Sequence, residues 1–152
     1  MLLAFLFASI LNQSHAAEVN ELKMVQSRRE DKVFRLEHQF SNKITPENFN
    51  VVFENERLVV SWPGSTFNEK KILSKIEDRF FKTVEVGASD TKEAKTSIGL
   101  GPGVPGRAFE SAVMAYVAGN RIIVEIGEPD VEWLGKTAAS TSHRYKFAAS
   151  GL

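Results

Sequence analysis

From Val33 to Phe40 the side chains alternate with period two: Phe34, Leu36, His38 and Phe40 share one side, and Val33, Arg35, Glu37 and Gln39 the other. Only an extended strand puts every second residue on one face, so this run predicts a strand with one side toward a core. The same period recurs twice more. Arg57 to Trp62 places Leu58, Val60 and Trp62 together, opposite Arg57, Val59 and Ser61, and Arg121 to Ile126 places Ile122, Val124 and Ile126 together, opposite Arg121, Ile123 and Glu125. Three such runs favour a mainly β chain.

Each of the later two runs has an apolar partner just before it. Phe49 to Phe53 precedes the turn Glu54-Asn55-Glu56, and Ala112 to Val117 precedes Ala118-Gly119-Asn120, whose Gly-Asn pair supplies tight-turn chemistry. Both read as hairpins, the first ended by Pro63-Gly64. A helix through Phe109, Val113, Tyr116 and Val117 is the competing reading of the second. Val52–Val60 aligns without gaps on Tyr116–Val124, each ending in Arg and three aliphatic residues, which suggests two related halves. Glu18 to Gln26, Val84 to Gly87 and Thr96 to Leu100 read as further strands. Ile72, Leu73, Ile76 and Phe80 have helical spacing and predict one short helix within residues 68–81. After Gly127 the composition turns polar and small, so residues 128–152 read as a flexible C-terminal tail, with Trp133, Leu134, Tyr145 and Phe147 as anchors.

The chain opens differently. Leu2 to Leu11 is apolar apart from Ser9, and it is shorter than the roughly 20 residues a membrane-spanning helix needs. Ser14-His15-Ala16 offers small residues at the two positions a signal peptidase requires, so residues 1–16 read as a signal peptide cut before Ala17, although no Lys or Arg precedes the apolar run. Residues 17–127 are then one β domain, exported, with no stable membrane span after cleavage. A chain of this size buries about two-thirds of its unfolded surface, enough for a true core. Its 19 Lys and Arg balance 19 Asp and Glu, which offers no overall basic field for nucleic acid. With no cysteine, disulfides and thiolate chemistry are excluded, and an exported chain without disulfides suits a bacterial periplasm.

Catalytic groups are not apparent. Gly101, Gly103 and Gly106 satisfy the spacing of a dinucleotide loop, but Pro102 and Pro105 remove the backbone donors such a loop uses, so a rigid turn is the better reading. His38 lies on an apolar strand face and His143 in the tail, with no clustered ligands, so neither a metal nor another cofactor is expected. The adjacent Glu77 and Asp78 diverge on a helix, and Ser61 has no base partner, so no enzyme is indicated. What remains is a binding surface. Arg57 and Ser61 share one strand face and Arg121 and Glu125 the equivalent face of the second hairpin; guanidinium groups there would grip carboxylates bidentately, as on the peptide stems of a wall polymer.

Glu56-Arg57-Leu58-Val59-Val60-Ser61-Trp62 resembles the motif strand of the AMIN domain, with Ser61 where the family has an acidic residue. Lys95 to Leu100 loosely echoes that family's second strand, and Asn120 to Ile126 is similar to its closing strand. The resemblance spans about residues 18 to 127. It implies a small two-sheet β-sandwich with at most one or two short helices. It also implies a noncatalytic periplasmic targeting module that associates with peptidoglycan or a cell-envelope complex. The alternative is a structural adaptor of a secretion, pilus or flagellar assembly, acting through protein contacts such as strand addition.

Overall fold

The computed structural model describes residues 19–43 and 48–148; the expected signal peptide therefore lies outside the described residues. The chain is mainly β, with ten strands: β1 (Asn20–Glu30), β2 (Val33–Phe40), β3 (Asn48–Phe53), β4 (Arg57–Thr66), β5 (Ile72–Lys75), β6 (Phe81–Ala88), β7 (Glu93–Leu100), β8 (Val113–Ala118), β9 (Arg121–Ile126) and β10 (Thr141–Lys146). Two short 3-10 turns, Gly106–Phe109 and Val131–Trp133, are the helical elements among the described residues.

Strand pairing produces two layers. The larger runs β5-β6-β7-β4-β3-β10 and the smaller β1-β2-β9-β8, each neighbouring pair antiparallel. They face one another as a sandwich: the Phe34 ring of β2 stacks on Phe81 of β6 at 4.4 Å, and Phe40 of β2 meets Trp62 of β4 edge-on at 6.0 Å. Every residue that alternation assigned inward is buried, including Phe34, Leu36, His38, Phe40, Leu58, Val60, Trp62, Ile122, Val124 and Ile126. The two expected hairpins form, β3–β4 in the larger layer and β8–β9 in the smaller.

Three expectations are corrected. Pro63-Gly64 does not end β4; it is an irregularity inside the strand, with Gly64 at φ +77°. Beyond it Ser65 and Thr66 pair in parallel with Asn20 and Glu21 of β1, which joins the two layers along one side. Ser65 Oγ donates to Trp62 O at 2.7 Å and holds that bend. Secondly, residues 68–81 contain no helix. Ile72 to Lys75 instead satisfy the otherwise open edge of β6, and the Asp78 carboxylate accepts from the Phe80 and Phe81 N–H groups, turning the chain before Phe81. The helical spacing there was outweighed by unpaired backbone on the neighbouring strand.

The third correction concerns the tail. The sequence predicts a flexible extension over residues 128–152, yet within its described part β10 pairs with all of β3. The cause is apolar. Phe49 and Phe53 on β3 need cover, and Tyr145 stacks on Phe49 at 5.4 Å while Phe147 packs beside it at 5.2 Å. Tyr145 Oη donates to Glu110 O at 2.9 Å, His143 Nε2 lies 2.7 Å from Glu110 Oε1, and Ala148 N donates to Ala115 O, so this strand closes the other side of the sandwich.

The glycine-proline segment after β7 packs inward. Gly106 N donates to Glu54 O at 2.7 Å, and a Cβ at that position would collide with the backbone of Glu54 and Arg57. Glycine is needed here because two backbones touch, a structural role unrelated to phosphate binding.

Candidate functional site

Because β4 and β9 belong to opposite layers and both turn their aliphatic residues inward, Arg57 and Ser61 emerge on one outer face of the sandwich and Arg121 and Glu125 on the other. The four residues do not form one surface. The structure keeps Arg57 with Ser61 and Arg121 with Glu125, and it gives the two faces different electrostatics.

On the smaller layer the charges neutralise one another. Register sets Arg35 opposite Glu125 and places Glu37 between Gln26 and Ile123. Arg35 Nε donates to Glu125 Oε1 at 3.1 Å, Tyr116 Oη donates to the same oxygen at 3.3 Å, and Arg121 Nη1 donates to Glu37 Oε1 at 2.7 Å. Glu30 bridges Arg28 and Arg35 at the end of the row. The Glu125 hydrogen bond holds the Arg35 guanidinium above its usual range, and partial burial followed by the Glu125 charge raises the Tyr116 phenol. Ile123 is buried between Glu37 and Tyr116, so this face is a packed lattice of satisfied ion pairs.

The outer face of the larger layer is built from polar and small residues. Directly opposite pairs are Arg57 with Gly99, Val59 with Ser97, and Ser61 with Lys95. Asn50 and Arg144 flank Ser61 on the other side, Arg144 Nε donating to Asn50 Oδ1 at 3.3 Å. Glu56, Arg57, Thr83, Glu85, Ser97 and Gly99 line a shallow depression of about 160 Å³. Arg57 reaches Glu54 at 2.9 Å and Lys71 reaches Glu85 at 2.8 Å. Lys95, Arg144 and Lys75 have no carboxylate within ion-pair distance among the described residues. A neutral chain therefore concentrates unneutralised cations, amides and hydroxyls on one sheet surface.

Sequence alone missed Lys95, Asn50 and Arg144 because they join Arg57 and Ser61 only through pairing between strands distant in the chain. A signal for Arg144 was present in the alternation of Thr141, His143, Tyr145 and Phe147, which turns Ser142 and Arg144 outward.

Two polar clusters lie deeper. His38 is fully buried between the layers, its Nε2 2.9 Å from Thr96 Oγ1 of β7 and its ring 4.3 Å from that of Trp62. Burial lowers its pKa to about 3, with a smaller opposing effect from the backbone of Ile122. Neither His38 Nδ1 nor Trp62 Nε1 has a hydrogen-bond partner among the described residues. Arg29 of β1 grips Asp78 bidentately, both bonds 2.7 Å, with its guanidinium 5.7 Å from the Phe34 ring centroid and 5.6 Å from that of Phe81. Burial acts to raise the Asp78 carboxyl, but hydrogen bonds from Arg29, Phe80 N–H and Phe81 N–H hold it below its usual range. Arg29 and Asp78 tie β1 to the segment between β5 and β6, a structural use of a charged pair.

Among the described residues no three His, Asp or Glu side chains converge as metal ligands. Nor is any described helix long and apolar enough to cross a membrane. Fold and surface together define a β-sandwich with one polar, cation-bearing sheet face. No family model matches the chain, and comparison with curated proteins and with solved structures yields no match either.

Proposed function

We propose that this protein is a noncatalytic periplasmic module of AMIN-like kind that associates with peptidoglycan or a cell-envelope complex through the outer face of its larger layer. The observation that carries this reading is the grouping of Arg57 and Ser61 with Lys95, Asn50 and Arg144, in which Lys95 and Arg144 lack described acidic partners and Arg57 is held only by the partly exposed Glu54 of the adjoining turn. A flat polar sheet of this composition suits an extended polymer with carboxylates and sugar hydroxyls, since guanidinium and ammonium groups hold the former and Asn and Ser the latter. The export-like segment at residues 1–16 supports the compartment. The face bearing Arg121 and Glu125 serves less well, because binding there would have to break existing ion pairs.

Co-sedimentation with purified peptidoglycan tests this. Saturable binding weakened in Arg57→Ala/Lys95→Ala and retained in Arg121→Ala, each of verified fold, is the expected result. Absent binding at low salt, or equal loss in both variants, refutes it. The second reading, an adaptor that joins an envelope assembly by strand addition, is favoured by the free edge of β5 with its exposed Ile72 and Leu73. Recovery of a stable envelope protein complex that Arg57→Ala/Lys95→Ala leaves intact would favour it.

A further inference from the structure

Strand β5 ends the larger layer. It pairs with β6 alone, all four of its residues are exposed, and Ile72 and Leu73 are 49% and 59% accessible. At the opposite edges the chain is better covered, since Ala148 bonds to β8 and Tyr145 and Phe147 wrap over β3. An open, apolar strand edge invites a further strand.

The backbone geometry states which groups are free. Ile76 N donates to Lys82 O, continuing the register Ile72 with Val86, Ser74 with Val84, and Lys75 with Thr83. In an antiparallel ladder, residues alternate between bonding to one neighbour and pointing away from it. Ile72, Ser74 and Ile76 therefore bond toward β6, and the N–H and C=O groups of Leu73 and Lys75 point to the open edge.

We propose that the partner of this edge is a second copy of the same strand, paired antiparallel about Ser74. A two-fold axis normal to the sheet keeps each face continuous, so residue numbers in opposing pairs must sum to an even number. Centring the pairing on Ser74 sets Leu73 against Lys75 of the other copy, the pair whose backbone groups are free. It also sets Ile72 against Ile76 on the inner face and Lys71 against Glu77 on the outer. Apolar thus meets apolar, opposite charges meet, and the Lys75 stem lies along Leu73. Centring on Leu73 instead opposes Lys71 to Lys75 and Glu69 to Glu77, which like-charge repulsion disfavours. The self-complementarity of this segment, in both charge and hydrogen bonding, is what selects a second copy over an unrelated strand.

The contact is small beside the roughly 1,200–2,000 Å² of stable complexes, so it is a weak, reversible dimer. Its consequence rests on the proposed wall-binding reading: the two-fold axis places both outer faces of the larger layer on the same side, joining them into one surface. A repeating polymer then engages two faces at once and gains by effective concentration.

Single-cysteine variants of the full chain decide the matter, because the protein has no cysteine of its own. In the proposed register Ser74 faces its own counterpart as a non-hydrogen-bonded pair, with Cα atoms about 4.5 Å apart, a spacing a disulfide accepts. Under mild oxidation Ser74→Cys should give a covalent dimer about tenfold faster than Leu73→Cys or Lys75→Cys, whose counterparts are displaced along the strand. Glu77→Lys should slow cross-linking of Ser74→Cys, and adding Lys71→Glu should restore it. Association through any other surface, the apolar Leu2–Leu11 run included, gives no preference for Ser74. Equal rates at the three positions, or no covalent dimer at high protein concentration, overturn the proposal. Peptidoglycan binding that persists in a chain that does not dimerise would leave the wall-binding reading standing alone.

Discussion

His38 should make this protein acid-labile in a window where carboxylates are silent. Its imidazole is fully buried against Trp62 with one bond to Thr96 Oγ1, and its pKa falls from 6.5 to about 3. A group whose folded pKa is depressed leaves the unfolded chain holding more protons between the two values. Stability is therefore complete above the unfolded pKa, and it is lost as pH falls from about 6.5 toward 3. From about pH 7 to 5 the loss amounts to roughly 2 kcal/mol, since each further pH unit below the unfolded pKa contributes about 1.4 kcal/mol. With an m-value of roughly 2 kcal/mol per molar urea, the unfolding midpoint moves down by about 1 M. Urea titrations followed by Trp fluorescence at pH 7, 6 and 5 measure this directly. His38→Phe, which keeps a ring in the core, and His38→Asn, which keeps a polar partner for Thr96, should each flatten the dependence whatever their stability at neutral pH. A slope unchanged in both His38 variants would refute the assignment of the acid sensitivity to this ring.

Asp78→Asn should cost about 2 kcal/mol in urea unfolding, because it weakens two charge-assisted bonds to a partly buried Arg29. The folded Asp78 pKa is lowered, so its contribution is present above the usual carboxylate range and lost as pH falls through it; the variant should lose that acid limb, which overlaps only the lower end of the His38 window. Gly106→Ala should destabilise by about 1–3 kcal/mol, since its Cβ would approach Arg57 O to 2.8 Å, and a thermal melt would register it. Tyr145→Ala should cost about 2–4 kcal/mol through loss of stacking on Phe49 and of the bond to Glu110 O. Hydrogen exchange in that variant should rise first in β3 and β10; a protected β10 would contradict its role as the closing strand.

Much of the inward pattern was legible because period-two alternation is local. Phe34 to Phe40, Leu58 to Trp62 and Ile122 to Ile126 each declare a buried face without reference to any other segment. Turn chemistry at Gly119-Asn120 likewise placed the β8–β9 hairpin, and no helix through Phe109 and Tyr116 forms. The spacing of Ile72, Leu73, Ile76 and Phe80 misled because four apolar positions fit a helix or an edge strand equally well. Only the open backbone of β6 selects between them. The alternation in β10 was visible but sat in a polar, small-residue context, and its use depends on Phe49 and Phe53, some ninety positions earlier, needing cover.

The sequence by itself determined which side chains of β2, β4 and β9 turn inward, that stability rests on packing without disulfides, and that charge is balanced over the whole chain. Tertiary structure alone decided which layer each strand joins. That choice depends on hydrogen bonding between distant segments, which no local period encodes. It sends Arg57 and Arg121, alike in their hairpins, to opposite outer faces, one beside Lys95 and Arg144 and the other locked to Glu37.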